Sequence, residues 1–333
     1  MQILNVSKRE AGQRLDKYLL RFLNQAPQSF IYKMLRKKNI VLNDKKADGS
    51  EKICETDEIK LYLADETISK FSKPIEVATK VSLDIIYEDE DVIFMNKPAG
   101  VLSQKATSSD VSMNDYLISY LVESGNITPR ELNTFHPAIC NRLDRNTSGL
   151  LLAGKSMAGL QGLSWLLKER TMQKFYLCLV GGKVRESSLI KGYLKKDSKS
   201  NTVKVSHHKN DDDSYIETYY EPLASNDDVT LLKVELITGR THQIRSHLAS
   251  INHPIIGDYK YGNKKMNQQY RAKYDLKHQL LHAWYVHFDN VEGTLNNLSR
   301  QQFIVNVPRQ FQYIIKTEHL EECNEEVDLT RII

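Results

Sequence analysis

From residue 83 onward the sequence alternates between short β-prone runs and polar turns, and two helical patterns interrupt this alternation. The runs rich in β-branched and aromatic residues lie at 85–87, 92–95, 175–180, 216–220 and 229–237. Helical patterns lie at 113–122 and 156–168. Many short strands combined with a few helices are typical of α+β domains. We therefore expect an α+β fold with a mixed, largely antiparallel central sheet and flanking helices.

The first 63 residues predict a separate, small α/β module. Apolar residues recur at the spacing of one helix face, at Leu15, Tyr18, Leu19, Phe22 and Leu23. Ser29 is a candidate N-cap for a second helix, which Asn39 can end. Its inward positions are Ile31, Met34 and Leu35. Strands are predicted at 40–42 and 59–63, so two helices would pack on a few short strands.

The second helix of this module is strongly basic on its outer side and in its last turn, at Lys33, Arg36, Lys37 and Lys38. Residues 1–63 hold 13 Lys and Arg against 8 Asp and Glu, so the excess positive charge of the chain belongs to this end. The cluster could be a solvated face whose cations suit the C-terminal end of the helix dipole. It could also be a footprint for a phosphate backbone. The charge alone leaves both open.

The remaining organisation follows from composition. Residues 64–80 contain Pro74 and no sustained periodicity, so we expect a linker between the module at 1–63 and a larger domain at 81–315. Residues 316–333 form an acidic tail. The polar stretch 195–214 contains two histidines and three aspartates that could bind a metal, but we favour a solvated loop.

Several classes of protein are excluded by what the chain lacks. Its 333 residues include 41% hydrophobic and 26% charged residues, which fits a folded globular protein. No apolar run has the length of a membrane span or the position of a signal peptide, so we expect a cytoplasmic protein. The four cysteines form no CxxC pair, and no glycine-rich nucleotide motif is present. A disulfide framework, a zinc ribbon and a nucleotide cofactor are therefore not expected.

The most unusual segment is 141–149, with the sequence NRLDRNTSG, which leads into the apolar run 150–152. Asp144 has an arginine on either side in the sequence. A guanidinium that folds back, or one from elsewhere, could keep its carboxylate ionised and oriented. Such a carboxylate can act as nucleophile or base. The structural alternative is an aspartate held by a salt bridge in a turn.

A second polar segment, TGRTHQIRSHL at 238–248, follows a predicted strand. Gly239 permits a sharp turn, and Thr241 could cap a short helix. That helix would leave four polar side chains at a cleft: Arg240, His242, Arg245 and His247. Two arginines suit phosphate or carboxylate. The histidines are five residues apart with no carboxylate between them, which argues against a zinc site.

Tyr176 lies in a third segment, the predicted strand at 174–180. Alternation along that strand places Tyr176 and Cys178 on the same face. A tyrosine at this position can simply be part of the core. It can also be a platform that stacks on a nucleobase.

Six motifs, in order along the chain, resemble those of the RluA family of RNA pseudouridine synthases. They are NKPAG from Asn96, RLDRNTSGL from Arg142, KFYLCLVGG from Lys174, TGRTHQIRSHL from Thr238, HPIIGDYKYG from His253 and LLHA from Leu280. The resemblance covers about residues 83–290. Residues 12–63 resemble the S4 RNA-binding domain in RLDKYL, the basic second helix and IVLND. An S4-like module in front of such a domain matches the branch of the family that modifies large-subunit ribosomal RNA.

The resemblance implies a role for each motif residue. Asp144 would be the catalytic aspartate that detaches uracil from the ribose C1′ and allows its reattachment through C5. Tyr176 would stack on the target base, and Arg245 would pair with the catalytic carboxylate. Arg142 would stabilise the extruded nucleotide. The neighbouring Arg240 and His242, like the basic helix of the module, are expected to contact RNA.

The implied reaction is an isomerisation of uridine to pseudouridine, which needs no cofactor, and no metal site is expected. The expected partner is RNA, with 23S ribosomal RNA favoured over other RNAs, and a monomer is the simplest assumption. Direct attack at C1′ and abstraction of the C2′ proton both remain open. The alternative is a non-catalytic RNA-binding or ribosome-assembly factor on the same fold. One departure from the family pattern is Asn141, where His commonly precedes Arg-Leu-Asp.

Overall fold

The computed structural model describes residues 1–73, 82–197, 202–206, 208–209 and 213–320. The chain divides into two compact units. The first consists of Met1–Phe94, Ala106–Asn141 and Leu152–Trp165. The second consists of Met95–Lys105, Arg142–Leu151 and Leu166–Ile333. The boundaries at 63, 80 and 315 stay a prediction, and the elements of the fold are assigned to these two units.

The N-terminal part of the first unit has two helices and a four-stranded sheet. Its elements are β1 (Gln2–Asn5), α1 (Leu15–Phe22), α2 (Gln28–Arg36), β2 (Ile40–Leu42), β3 (Lys45–Lys46) and β4 (Glu58–Leu61). The sheet has the order β1-β4-β2-β3, and its strands pair antiparallel. The predicted apolar face of α1 is buried together with Ile31, Met34 and Leu35 of α2. Each such buried aliphatic side chain contributes about 1.5–3 kcal/mol.

Two details of α2 differ from the prediction. The helix begins at Gln28, and Pro27 occupies the N-cap position with φ −66°, so Ser29 lies inside the first turn. A proline fixes φ near this value, which suits the start of a helix without a side-chain cap. The helix ends at Arg36, two residues before Lys38 adopts φ +57°, rather than at Asn39.

The rest of the first unit supplies helices and strands from three chain segments. They are α3 (Asp65–Phe71), β5 (Asp84–Glu88), the first half of β6 (Val92–Lys97), α4 (Met113–Glu123), a 3-10 turn (Glu131–Asn133), β7 (Ala138–Ile139), the end of β8 (Ser148–Gly154) and most of α5 (Met157–Glu169). In sheet order β8 neighbours β6, which neighbours β5. The predicted helices at 113–122 and 156–168 are confirmed. The predicted linker 64–80 contains α3, and 74–80 lie outside the described residues.

The second unit is built on a large, mostly antiparallel sheet. Its further elements are β9 (Met172–Gly181), β10 (Ser188–Asp197), β11 (Thr202–Ser206), β12 (Ser214–Ser225), β13 (Val229–Leu236), α6 (Gln243–Ser250), α7 (Lys264–Tyr274), β14 (Leu281–Phe288), a 3-10 turn (Gly293–Leu298), β15 (Gln302–Ile304) and α8 (Arg309–Thr317). The strand order is β11-β10-β12-β13-β9-β14-β8, with β15 added to β14. Among these pairs only β14 with β8 is parallel. The predicted α+β fold is confirmed.

Helices α7 and α8 of this unit cover an apolar layer of the sheet. Tyr270 and Tyr274 of α7 and Ile314 of α8 are buried in one cluster with Leu177 of β9 and Leu231 of β13. The cluster includes residues of the central strands β9 and β13. Strand β9, which carries Tyr176, pairs with β13 on one side and β14 on the other, and the helices pack against it.

One predicted loop is in part a pair of strands. Residues 195–214 include the end of β10 and all of β11, which pair antiparallel. Val203 packs with Leu194 and Ile216, and Val205 packs against this cluster. Those alternating valines stabilise the pairing despite the polar composition. His207 and the first two aspartates of the stretch lie outside the described residues, as do residues 321–333 of the predicted tail. In the described part of the chain, no helix combines the length and apolar character of a membrane span.

Candidate active site

Asp144 lies on the short loop that precedes β8, and buried polar side chains fix the backbone of this loop. The fully buried Lys97 ammonium donates hydrogen bonds of 2.8–2.9 Å to three carbonyl oxygens, those of Pro98, Val101 and Arg145. The Ser103 hydroxyl donates to the carbonyl of Leu143 at 2.8 Å and accepts from its N–H at 3.0 Å. The residues on both sides of Asp144 are therefore anchored.

The Thr-Ser-Gly sequence after Asp144 joins this loop to β14. Thr147 accepts a hydrogen bond from Gln279 at 2.7 Å, and the Ser148 hydroxyl contacts Nδ1 of buried His282 at 2.9 Å. Gly149 has φ +111°, and a Cβ atom there would lie 2.1 Å from the carbonyl oxygen of Ala283. Only glycine fits such a close approach of two backbones. These three residues thus fix the start of β8, and with it the position of the loop that carries Asp144.

The loop before α6 is organised by the side chain of Gln243. Its Oε1 accepts from the N–H of Arg240 at 3.0 Å and from the Thr238 hydroxyl at 2.8 Å. Its Nε2 donates to the carbonyl of Glu217 at 2.8 Å. The predicted cap at Thr241 is wrong, because α6 begins at Gln243 and the N-cap position is His242 in a left-handed conformation with φ 56°. The buried glutamine amide takes over the role of a capping side chain in ordering this turn.

Arg245, on α6, joins two carboxylates. Its Nε and Nη2 donate to the two oxygens of Asp258 at 2.7 and 2.8 Å. Its Nη1 donates to Oδ2 of Asp144 at 2.6 Å. Asp258 also accepts from the backbone N–H groups of Lys260 and Tyr261, so its own position is fixed. The bidentate pair orients the guanidinium, and the free edge of the guanidinium then orients Asp144.

Arg245 and Asp258 both keep their charges although they are buried. Burial opposes the charged form of Arg245, but hydrogen bonds and charge from Asp258 and Asp144 outweigh it and raise its pKa. Burial likewise opposes ionisation of Asp258, but the hydrogen bond and charge of Arg245 prevail and lower its pKa. Burial lowers the pKa of Lys97 to about 7, an effect that the charge of Asp144 opposes. Buried charges are tolerated here because each has directional partners.

His242 is a second side chain close to the Asp144 carboxylate. Its Nε2 is 3.8 Å from Oδ2 of Asp144, and its Nδ1 is 2.9 Å from the hydroxyl of Tyr261. Burial lowers the pKa of His242, although the charge of Asp144 opposes this. The ring of Tyr261 also packs edge-on against His242 and under the Arg245 guanidinium, whose Cζ is 5.1 Å from the ring centroid. Tyr261 therefore supports both groups that approach the carboxylate.

These side chains surround a pocket of about 360 Å³, a volume that includes its open mouth. It is lined by Arg142, Leu143, Asp144, Thr147, Tyr176, Leu236, Arg240, His242, Gln243, Ile244, Arg245 and Leu281. Tyr176, on the central strand β9, is 6% exposed, and burial together with the charge of Asp144 raises its pKa. The pocket thus combines a carboxylate, three arginines, a histidine and an aromatic ring.

The structure brings most of the predicted residues together and moves one away. Arg142 and Arg240 are exposed and line the pocket. His247 does not reach the cleft, contrary to the prediction, since it is fully buried and its Nδ1 contacts the Thr218 hydroxyl at 2.8 Å. The basic residues of the N-terminal part are exposed on α2 and in the turn after it, in the first unit: Lys33, Arg36, Lys37 and Lys38.

Three charged or aromatic residues around the site were not predicted: Lys97, Asp258 and Tyr261. All lie within motifs quoted above, NKPAG and HPIIGDYKYG. A sequence feature that could have indicated such a residue is a charged side chain next to an apolar or glycine-containing run, as in Ile256-Gly257-Asp258. Their partners are distant in the sequence, however, and periodicity does not predict such contacts.

Asn141, the departure from the family pattern, forms a hydrogen bond within the first unit. Its Oδ1 accepts a hydrogen bond from the backbone N–H of Leu152 at 2.7 Å. The neighbouring Cys140 N–H donates to the carbonyl of the same residue at 2.7 Å. The asparagine thus holds the chain immediately before Arg142 through a neutral side-chain hydrogen bond.

Chemically, the site offers an ionisable carboxylate with one oxygen held by a guanidinium and an aromatic ring beside it. Arginines at the opening suit a phosphate-bearing substrate, and the ring suits a planar base. Among the described residues, no group of three His, Cys, Asp or Glu side chains is placed to hold a metal ion. Together, the carboxylate, the aromatic ring and the arginines form a site that suits a nucleotide within a polyanion.

Comparisons with known proteins identify the family. The family described as RNA pseudouridylate synthase matches residues 91–250. The chain is 32% identical over 301 residues to ribosomal large subunit pseudouridine synthase C of Pasteurella multocida, covering 87% of this chain and 86% of that protein. It is 35% identical over 265 residues to the protein of the same name from Rickettsia bellii, covering 77% and 84%.

A solved structure, human RNA pseudouridylate synthase domain containing 4, shares the fold with a TM-score of 0.58 and 20% identity, covering 72% of this chain and 95% of that one. The chain belongs to the RluA family of RNA pseudouridine synthases, enzymes that isomerise uridine in RNA.

Proposed function

We propose that this RNA pseudouridine synthase isomerises uridines of 23S ribosomal RNA and that Asp144 is its catalytic carboxylate. The observation that carries the assignment of Asp144 is the 2.6 Å hydrogen bond from Arg245 to its Oδ2, in a pocket that also contains Tyr176. The names of the relatives from Pasteurella multocida and Rickettsia bellii, ribosomal large subunit pseudouridine synthase C, support the choice of RNA.

The proposed chemistry assigns different tasks to the carboxylate and its neighbours. The bond between uracil N1 and ribose C1′ breaks, the base turns, and a bond from C5 to C1′ forms. C5 loses its proton and N1 gains one, so the product has the composition of the substrate. Asp144 either attacks C1′ or removes the C2′ proton, and both routes need it ionised at the sugar. Arg245 holds Oδ2 through a charge-assisted hydrogen bond, which directs the other oxygen toward the substrate.

Access to the pocket requires that the target nucleotide leave its stack. Extrusion costs a few kcal/mol. Stacking of the base on an aromatic ring returns about 1–3 kcal/mol, and Tyr176 is the ring beside Asp144. Arg142 and Arg240 are exposed at the same pocket and would contact phosphate groups of the extruded nucleotide. These contacts favour RNA that can open locally at the target uridine.

The N-terminal helices and sheet are proposed to act as an S4-like RNA-binding module. Its exposed basic residues on and after α2 suit a phosphate backbone without sequence preference. Binding by this module would raise the local concentration of RNA at the pocket. We propose that the reaction needs no cofactor, since the isomerisation involves no net redox change. A cytoplasmic location and a monomeric state are part of the same proposal.

The assignment of Asp144 is tested with unmodified 23S ribosomal RNA and chemical mapping of pseudouridine. We expect wild-type protein to modify discrete uridines and Asp144→Asn to lose at least about 1,000-fold in single-turnover rate, because the isosteric amide is neither nucleophile nor base. RNA affinity measured by filter binding should change little. The matched control is Asp227→Asn, which alters an exposed carboxylate outside the pocket.

Three results would contradict the proposal. Modification by Asp144→Asn at the wild-type rate would remove Asp144 from the chemistry. Tight binding of 23S ribosomal RNA without any modification by wild-type protein would favour a non-catalytic RNA-binding or assembly factor. Release of free uracil would indicate a hydrolase, because an isomerase leaves the mass of the RNA unchanged.

A further inference from the structure

The protonation state of His242 follows from its neighbours. The Tyr261 hydroxyl oxygen accepts a hydrogen bond from the backbone N–H of Val203 at 2.8 Å. Its own proton is then available to Nδ1 of His242, 2.9 Å away. Burial raises the pKa of Tyr261 and lowers that of His242, so the tyrosine keeps its proton and the imidazole is neutral. A neutral imidazole that accepts at Nδ1 carries its proton on Nε2.

In this tautomer the Nε2–H group of His242 lies near the Asp144 carboxylate but does not form a hydrogen bond with it. Nε2 of His242 lies 3.8 Å from Oδ2 of Asp144, which is too far for a direct hydrogen bond. An oxygen atom placed at roughly 2.7–3.0 Å from both atoms would be within hydrogen-bond distance of each. Such an atom must accept a proton from Nε2 and donate one to Oδ2.

Few groups of a uridine nucleotide can do both. The carbonyl oxygens of uracil and the phosphate oxygens accept but do not donate, and the imide N–H donates only. A hydroxyl group both accepts and donates. The 2′-hydroxyl is the hydroxyl of an internal nucleotide, and it is attached to the carbon next to C1′, where Asp144 acts in either route of the proposed function.

We propose that His242 and Asp144 together bind the 2′-hydroxyl of the target nucleotide, so that His242 selects ribose over deoxyribose at the site of reaction. The proposal rests on the assignment of Asp144 as the catalytic carboxylate. Tyr261 acts through His242 as a positioning residue, since its hydroxyl fixes the tautomer. The 2′-hydroxyl is the feature by which a protein distinguishes RNA from DNA at one position.

The test uses two short synthetic RNAs with the sequence around a uridine that the mapping experiment on 23S ribosomal RNA shows to be modified. At that uridine one RNA carries a 2′-hydroxyl and the other a 2′-hydrogen, and they are otherwise identical. Single-turnover rates are measured for wild type, His242→Ala, His242→Gln and Tyr261→Phe. Wild type should prefer the ribose substrate by roughly 10- to 100-fold, the range for a hydrogen bond to a charged group. His242→Ala should reduce this preference by about tenfold, mainly by slowing the ribose substrate.

The remaining variants separate recognition from folding. His242→Gln keeps an N–H donor and should retain a preference between those of wild type and His242→Ala. Tyr261→Phe should lower the preference while RNA affinity stays the same. His287→Ala, which removes a half-exposed histidine outside the pocket, should preserve the wild-type preference. Using the same substrate pair throughout cancels the intrinsic difference in reactivity between the two sugars.

The proposal is overturned if His242→Ala and His242→Gln both keep the wild-type preference, or if wild type shows none. Failure of the proposed function gives a different result: wild type would then be inactive on the ribose substrate, or Asp144→Asn would be active on it. A preference that depends on His242, together with an inactive Asp144→Asn, supports both assignments.

Discussion

At the scale of single residues, the site depends on one guanidinium shared by two carboxylates. Asp258 engages two nitrogens of Arg245 and receives two backbone N–H groups, so it is the rigid side of the arrangement. Asp144 receives a single hydrogen bond from Arg245. It therefore keeps an oxygen available to substrate, while Asp258 serves as the fixed counter-ion that prevents Arg245 from turning away.

A buried histidine near this site makes stability depend on pH. His282 contacts the Ser148 hydroxyl at 2.9 Å and the Val305 carbonyl at 3.3 Å, and burial lowers its pKa to about 4 from 6.5. Between these values the unfolded chain binds a proton that the folded protein does not. The free energy of unfolding should therefore fall as pH drops from 6.5 to 4, by up to about 3 kcal/mol.

The measurement is urea unfolding at pH 7 and pH 4.5 for wild type and His282→Gln. Wild type should lose about 2–3 kcal/mol more than the variant between the two pH values, because glutamine does not titrate in this range. His287→Gln changes a half-exposed histidine on the same strand and should behave like wild type. Equal pH dependence of wild type and His282→Gln would show that His282 is not the titrating group.

At the scale of secondary-structure elements, the contact between β8 and β14 determines where Asp144 lies. The pairs His282 with Ser148 and Ala283 with Gly149 are parallel, and Gly149 is the point of closest approach. We expect Gly149→Ala to destabilise the protein by at least about 3 kcal/mol, since its Cβ overlaps the Ala283 carbonyl and its φ is unfavourable for alanine. Thermal unfolding and soluble yield measure this.

Gly293→Ala separates the two causes. Gly293 also has positive φ, at 78°, but a Cβ there would meet nothing within 4 Å. That variant should show only the conformational penalty of about 1–2 kcal/mol. If Gly149→Ala were no less stable than Gly293→Ala, the backbone approach at β8 would not be tight in solution.

The elements themselves were largely predictable from the sequence, whereas their ends and contacts were not. Periodicity predicted α1, α4 and α5 because each has a continuous buried face. Caps at Ser29 and Thr241 were wrong, since a proline and a glutamine side chain order those turns. Asp144 and Arg245 were predicted through the family resemblance. Their contact spans 101 residues, and local patterns carry no information about it.

At the scale of the whole molecule, the distribution of charge is the feature with a measurable consequence. The chain has a formal net charge of only +4, yet residues 1–63 have 13 basic against 8 acidic residues. Lys33, Arg36 and Lys37 are exposed. If these residues contact RNA phosphates, each displaces a counterion from the RNA, and affinity then falls with salt concentration in proportion to the number of contacts.

Replacing Lys33, Arg36 and Lys37 together by glutamine should therefore reduce the slope of log affinity against log salt by about 2, since each phosphate contact contributes about 0.7–0.9. The measurement is filter binding of 23S ribosomal RNA fragments at salt concentrations from about 50 to about 200 mM. Affinity changes enough over this range to determine the slope. Lys316→Gln, which removes an exposed cation from α8, should leave the slope unchanged. An unchanged slope in the triple variant would mean that the basic helix is a solvated face, and the S4-like role would then have to be abandoned although the pocket around Asp144 kept its activity.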